Sequence, residues 1–201
     1  MKIKFNNYIL FIGVAGLLYS CSPRNISTRY YYENEKVLDK IEETFKQLSR
    51  EHDFAIAFTS KNFKSVSLEI FTDTLKYVYD FETNEPRLAD TLTAYHLNAP
   101  KIIKLIQQMQ SIRSTWIRNL DYYVDGKKNN LVFMSMKPVA LKAPFSYKKY
   151  YILAYFNQPQ FFDDKGRLLD RMSRRRLRKI NGEEFLRIND KVCYTVSGNF
   201  R

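Results

Sequence analysis

Alternation of apolar and polar side chains dominates the chain after residue 53. Apolar side chains occupy every second position in three consecutive runs, 54–58, 66–70 and 75–81. Successive side chains of a β-strand point to opposite faces of a sheet, so each run predicts a strand. The short polar connections between the runs favour an antiparallel meander.

Two other segments have the spacing of an α-helix. Apolar residues recur every three or four positions from Glu33 to Arg50, with acidic residues early in the segment, where the helix dipole favours them. A second apolar stripe begins after Pro100, a residue suited to the first helical turn, and continues to Leu120. The spacing therefore predicts one helix on each side of the meander.

The remaining strand signals lie in the second half of the chain. Asp125-Gly126 predicts a hairpin turn before the run 131–136, and residues 150–156 are apolar on both alternating faces, as in a central strand. Asn189-Asp190 joins a last pair of strands, 184–188 and 191–197. Because strands and helices do not alternate regularly, we predict an α+β fold with a mainly antiparallel sheet of about seven strands, packed by two or three helices.

The N-terminus has the pattern of a secretory signal. Lys2 and Lys4 precede an apolar segment, residues 8–18, and no acidic residue occurs before Glu33. Eleven helical residues span roughly 16 Å, about half of the hydrocarbon thickness of a bilayer, so the pattern favours export over a transmembrane helix.

The apolar segment ends in Leu18-Tyr19-Ser20-Cys21, which resembles the lipobox of bacterial lipoproteins. The resemblance implies cleavage before Cys21, a diacylglyceryl thioether on its sulfur and an acyl group on the new N-terminus. It implies attachment to a lipid membrane through acylated Cys21. The organisation that we predict is a signal peptide at 1–20, a tether at 21–32 and a single α+β domain at 33–201.

Residues after the lipobox bear on location. In lipoproteins of this type, a residue other than Asp after the cysteine usually implies the outer membrane, and Ser22 stands there without a following acidic cluster. We therefore expect an outer-membrane protein that faces the periplasm. Asp73-Thr74-Leu75 and Asp90-Thr91-Leu92 resemble the O-glycosylation sites of exported Bacteroidota proteins, but a polar turn and a loop explain the same residues and are favoured for each taken alone.

A basic run is the most unusual chemical feature of a chain that carries a net charge of +12. Residues 165–179 hold eight Lys and Arg and one acid, Asp170. On a helix, at 100° per residue, four of the arginines would share one face opposite the run's apolar side chains. These candidate docking residues are Arg167, Arg171, Arg174 and Arg178.

Three interpretations of this run stay open. The flanking acids, at 163–164 and 183–184, could neutralise it. It could dock on anionic lipid headgroups, where each basic residue contributes about 1 kcal/mol. It could bind an acidic envelope protein or a polysaccharide. Nucleic acid is not expected, since no nucleic-acid motif accompanies the charge.

No catalytic, cofactor or metal motif is recognisable. His52 and His96 lack metal-ligand spacing, and neither a nucleophile elbow nor a phosphate-binding glycine loop occurs. The alternating segment Val192-Cys193-Tyr194 predicts a strand in which Cys193 lies on the face opposite Val192 and Tyr194. We therefore predict no cofactor and a non-catalytic binding or adaptor module; the alternative is an envelope hydrolase, acting on glycan or lipid, without a recognisable motif.

Overall fold

The computed structural model describes residues 22–124, 127–136 and 149–198. Within them the chain forms three helices, α1 (Pro23–Ser49), α2 (Pro86–Ala94) and α3 (Ala99–Ser111). Each helix has proline in its first turn, where the missing amide proton costs no hydrogen bond. Ser22 caps α1 by accepting a 3.2 Å hydrogen bond from the amide of Asn25.

Helix α1 begins ten residues earlier than the apolar spacing predicts. The segment 21–32 was expected to be a tether, yet it is helical from Pro23 onward. Ser27 and Tyr31 are buried one turn apart on the same helix face as Leu38. This part of the chain is therefore packed against the fold, and it does not act as a spacer.

The sheet confirms the predicted α+β class. Eight strands pair antiparallel in the order β3-β2-β1-β4-β5-β6-β10-β9, and a small ribbon pairs β7 with β8. The bounds are β1 (Phe54–Phe58), β2 (Ser65–Phe71), β3 (Lys76–Glu82), β4 (Ser114–Val124), β5 (Lys127–Met136), β6 (Tyr150–Phe156), β7 (Lys179–Ile180), β8 (Glu183–Glu184), β9 (Leu186–Arg187) and β10 (Val192–Ser197). The predicted meander and the central strand β6 are confirmed.

The second helix prediction is too long. Helix α3 ends at Ser111, and the residues that continue its apolar stripe, Trp116 and Leu120, belong to β4. Arg113 has a φ of 58° between the two elements, a left-handed conformation that ends a helix. The hairpin that follows pairs Val124 with Lys127, so β5 starts at Lys127, four residues before the predicted run, and Asp125-Gly126 lies outside the described residues.

The sheet buries side chains on both faces. One face packs against the three helices, around residues such as Phe45, Leu92 and Ile102. The other face packs against buried side chains of the irregular segment between β6 and β10, including Leu168 and Phe185. This segment contains the basic run, so the sheet itself positions the arginines.

Candidate functional site

The basic run lies in a long excursion between β6 and β10 and has no helical residues. Leu168 and Leu169 are 1% and 9% exposed and anchor the excursion. The amide of Leu168 donates to the carbonyl of Phe185 at 2.9 Å, and the amide of Arg178 donates to that of Leu168 at 2.9 Å. We call residues 167–169 and 177–178 the stem of the excursion. The stem is fixed to the sheet by packing and by backbone hydrogen bonds.

A closed loop projects from this stem; we call it the arginine tip, residues 170–176. An isolated bridge between Leu169 and Leu177 closes its base, and the amide of Asp170 donates to the carbonyl of Arg176 at 2.8 Å. The Asp170 carboxylate accepts from the amides of Met172 at 2.8 Å and Ser173 at 3.2 Å. One carboxylate thus organises the backbone of the whole loop.

The tip combines positive charge with an exposed apolar side chain. All six residues 171–176 are exposed, and the apolar side chain of Met172 is 83% exposed. Four of the six are arginine. An exposed thioether in a loop that carries four guanidinium groups suits a surface that is apolar inside and anionic outside, which is the chemistry of an anionic bilayer.

The four predicted docking residues do not share one face. Arg167 belongs to the stem, where its Nε lies 2.7 Å from Oδ2 of Asp163. Arg178 is also in the stem, half-buried, and donates to Gln160 at 3.2 Å. The helical arrangement was wrong because residues 165–178 form turns and isolated bridges in place of a helix.

Arg171 and Arg174 do lie in the arginine tip. The Arg171 guanidinium donates to the side chain of Gln158, and that of Arg174 lies 4.1 Å from the ring centroid of Phe161. Sequence reasoning left out Arg175 and Arg176, whose side chains make no hydrogen bond or ion pair with described residues. The helical arrangement also placed Met172 among the packed side chains, whereas it is 83% exposed. The available signal was the position of Met172 in a segment rich in arginine.

Internal neutralisation accounts for only part of the run. Asp163 pairs with Arg167, and Glu184 lies 3.8 Å from Lys179. No described carboxylate forms an ion pair with an arginine of the tip. The tip's positive charge is therefore open to a partner.

Replacing Asp170 with alanine is expected to loosen the arginine tip and leave the fold intact. Backbone hydrogen bonds from Met172 and Ser173, followed by the charges of Arg176 and Arg178, lower the pKa of Asp170. The ionised carboxylate is therefore the form that holds the loop. Hydrogen exchange measured by mass spectrometry should show several-fold faster exchange at 170–176 and unchanged exchange in β6 and β10.

Asp164→Ala is the matched control, because Asp164 is exposed and makes no described hydrogen bond.

Loosening of the arginine tip is also expected in the parent chain at acid pH. A lowered pKa means that the contribution of Asp170 is present above its unfolded value of about 3.9 and disappears as pH falls through the folded-state pKa. Equal exchange in Asp170→Ala and the parent at neutral pH would contradict this role.

Of the two cysteines, only Cys193 lies within the described residues. Cys21, the predicted lipidation residue, lies outside the described residues. Cys193 is fully buried in β10, on the sheet face opposite Val192 and Tyr194, as the alternation predicts. Burial raises the pKa of the Cys193 thiol, so it is held as an unreactive thiol at neutral pH.

No three metal-binding side chains converge anywhere in the described ranges. Likewise, none of the described helices combines the length and apolar character that crossing a bilayer requires. Comparison of the chain with protein-family models, with curated proteins and with solved structures found no match.

Proposed function

We propose that this chain is a lipoprotein of a bacterial cell envelope, anchored through acylated Cys21 in the outer membrane and facing the periplasm. Its α+β domain is a non-catalytic binding module, and the arginine tip docks on the anionic lipid of the membrane that holds the anchor. The lipobox resemblance of Leu18-Tyr19-Ser20-Cys21 supports the anchor. The geometry of the tip supports the docking.

The position of the anchor favours contact between domain and membrane. Cys21 directly precedes Ser22, the N-cap of α1. A domain joined so closely to its lipid has a high local concentration at the bilayer, which lets weak docking contacts act. The exposed side chains of the arginine tip would make weak contacts of this kind.

The observation that carries the docking is the composition and exposure of residues 171–176. Four arginines near an anionic surface contribute about 1 kcal/mol each. Burial of the Met172 side chain among acyl chains contributes about 1.5–3 kcal/mol. Since Met172 is 83% exposed in the structure, docking would remove this apolar side chain from water.

The test places a reporter inside the tip of the full chain. Ser173→Cys is labelled with an environment-sensitive fluorophore, which Cys193 does not take up because it is buried. The labelled chain is reconstituted into vesicles of neutral lipid, with or without phosphatidylglycerol. The reporter follows docking whichever way the N-terminus is held in the bilayer.

In anionic vesicles at low salt we expect a blue shift that neutral vesicles do not give. Changing the four tip arginines to glutamine should lower the docking equilibrium roughly 1,000-fold, as loss of about 1 kcal/mol for each would do. The matched control changes four exposed lysines, Lys61, Lys64, Lys101 and Lys104, to glutamine. It alters the net charge equally and should keep the shift.

Either of two results would reject docking by the tip. The first is the same emission in neutral and anionic vesicles. The second is an equal loss in the lysine variant and the arginine variant, which would mean that net charge alone draws the protein to the surface.

A further inference from the structure

The two edges of the eight-stranded sheet differ in how they are covered. Strand β9 is two residues long, and the excursion lies along its outer side, where the amide of Arg187 donates to the carbonyl of Gly166 at 2.8 Å. Strand β3, at the opposite edge, is seven residues long and pairs with β2 alone among the described strands. A long edge strand presents a row of backbone groups to which a further strand can add.

Two hydrogen bonds identify the backbone groups of β3 that face this open edge. The amide of Thr83 donates to the carbonyl of Lys64 at 2.7 Å, and the amide of Thr72 donates to that of Leu75 at 2.9 Å. Backbone groups of an antiparallel strand alternate between its two sides, so Leu75, Thr83 and every second residue between them face β2. The residues whose amides and carbonyls face outward are therefore Lys76, Val78, Asp80 and Glu82.

The turn after β3 already uses the outward groups of Glu82. The amide of Glu82 donates to a carboxylate oxygen of Glu85 at 3.2 Å, and its carbonyl accepts from the amide of Glu85 at 3.0 Å. The outward groups of Lys76, Val78 and Asp80 have no hydrogen-bond partner in the part of the chain that the structure describes. The free part of the edge is thus centred on Val78.

The side chains of this free part are complementary to a second copy of themselves. Val78 is 52% exposed, which leaves a large apolar side chain in water. Lys76 and Asp80, both exposed, stand two residues to either side of it on the same sheet face. Charges on an edge strand usually oppose pairing with another chain. Here, however, an antiparallel copy with Val78 opposite Val78 places each lysine opposite an aspartate.

Existing contacts leave both charges usable. Nζ of Lys76 lies 3.0 Å from Oε1 of Glu69, and the lysine side chain is 47% exposed. An ammonium group has three donors, so it can keep Glu69 and also pair with a carboxylate across the edge. The side chain of Asp80 forms no ion pair with any described residue, so its charge is open to a partner.

We propose that β3 pairs with β3 of a second copy of this chain, antiparallel, with Val78 opposite Val78. Each opposed pair, Val78 with Val78 and Lys76 with Asp80, exchanges two backbone hydrogen bonds. The two sheets become one continuous sheet across a two-fold axis, the commonest symmetry of protein dimers. The neighbouring register, with Lys76 opposite Glu82, would need the backbone groups that Glu85 already uses.

The main test exchanges the two charges. Lys76→Asp sets a carboxylate opposite the partner's Asp80, and Asp80→Lys sets an ammonium opposite the partner's Lys76. Like charges directly opposite destabilise strand pairing, so each variant alone should dimerise at least roughly tenfold more weakly than the parent. An equimolar mixture of the two variants restores opposite charges at both positions and should dimerise as the parent does.

Native mass spectrometry of the full chain, released from neutral detergent, counts the copies in each complex. A mixed dimer is identified by a mass midway between those of the two variants' own dimers. Lys40→Asp is the matched control: it makes the same change at an exposed lysine of α1, a helix that contacts β6 and β10. Its dimerisation should equal that of the parent.

A disulfide reports the register independently of charge. Residues opposed in a hydrogen-bonded antiparallel pair have Cα atoms about 5.5 Å apart, within reach of a disulfide. Val78→Cys in a Cys21→Ser background, where the remaining natural thiol is the buried Cys193, should give a linked dimer under mild oxidation. Glu82→Cys in the same background is the matched control, because its two copies would lie more than roughly 20 Å apart along the paired strands.

Three results would overturn the proposal. A parent chain that stays monomeric at every concentration would leave the edge to a strand of another protein. Variants that remain monomeric when mixed, although each is folded by circular dichroism, would exclude the register. Equal linking of the Val78→Cys and Glu82→Cys chains would mean that the disulfide forms by random collision.

Discussion

Replacing Cys21 with serine is expected to abolish both the removal of residues 1–20 and the attachment of lipid. The lipobox-like segment places a sulfur at position 21, and a serine hydroxyl cannot form the thioether. In intact-mass measurements, the parent should lack residues 1–20 and carry added acyl mass. The variant should keep Met1 and carry none. Each buried methylene contributes about 0.8 kcal/mol, so losing several acyl chains amounts to losing the anchor.

The second cysteine provides the control for this experiment. Cys193→Ala changes a buried strand residue and should leave processing and lipid mass as in the parent. A parent chain that retains Met1, or that is cut before Cys21 yet has a free sulfur, would contradict the anchor. Such a result would also remove the high local concentration at the bilayer on which docking by the arginine tip depends.

Phe45→Ala is expected to have the largest effect on stability, lowering the free energy of unfolding by about 3–5 kcal/mol. Phe45 of α1 is fully buried, and its ring lies 5.0 Å from that of Phe54 in β1, edge to face. The substitution removes this contact and leaves a cavity between helix and sheet. Denaturant unfolding followed by circular dichroism measures the loss directly.

Tyr32→Ala is the matched control for that measurement. It also replaces an aromatic residue of α1 with alanine, but Tyr32 is 55% exposed, so the loss should stay below about 1 kcal/mol. Similar losses in the two variants would mean that α1 does not pack on the sheet by the face that carries Phe45.

The strands of the meander were predictable because their apolar side chains recur at every second position. In β2, the apolar side chains Val66, Leu68 and Ile70 lie on one face of the sheet and are all buried. Strand β6 was equally clear as an apolar run, since both of its faces are covered. What alternation does not give is strand order, which depends on contacts between residues far apart in the chain.

Two helix ends were misplaced for different reasons. Ile112, Trp116 and Leu120 keep a four-residue spacing across the end of α3, and Arg113 adopts its left-handed conformation without the glycine that usually signals such a turn. At the start of α1, Ser22 and Pro23 formed a start signal, an N-cap followed by proline. It was obscured because a buried serine, Ser27, breaks the apolar stripe.

The candidate sites were predictable only in part. A high density of arginine in residues 165–179 pointed to the right segment, but helical geometry assigned Arg167 and Arg178 to a docking role, whereas the structure holds them in the stem. The loop that presents Arg175 and Arg176 depends on Asp170 and on long-range packing of Leu168.

The N-cap at Ser22 also sets how far an anchored molecule can reach. Two extended residues span at most about 7 Å, and a domain of this size is about 40 Å across. Any ligand that such an anchored domain binds must therefore lie within about the width of the domain from the bilayer surface. With the proposed lipid anchor, a partner farther from the bilayer would have to come to the membrane, because only Ser22 separates Cys21 from the start of α1.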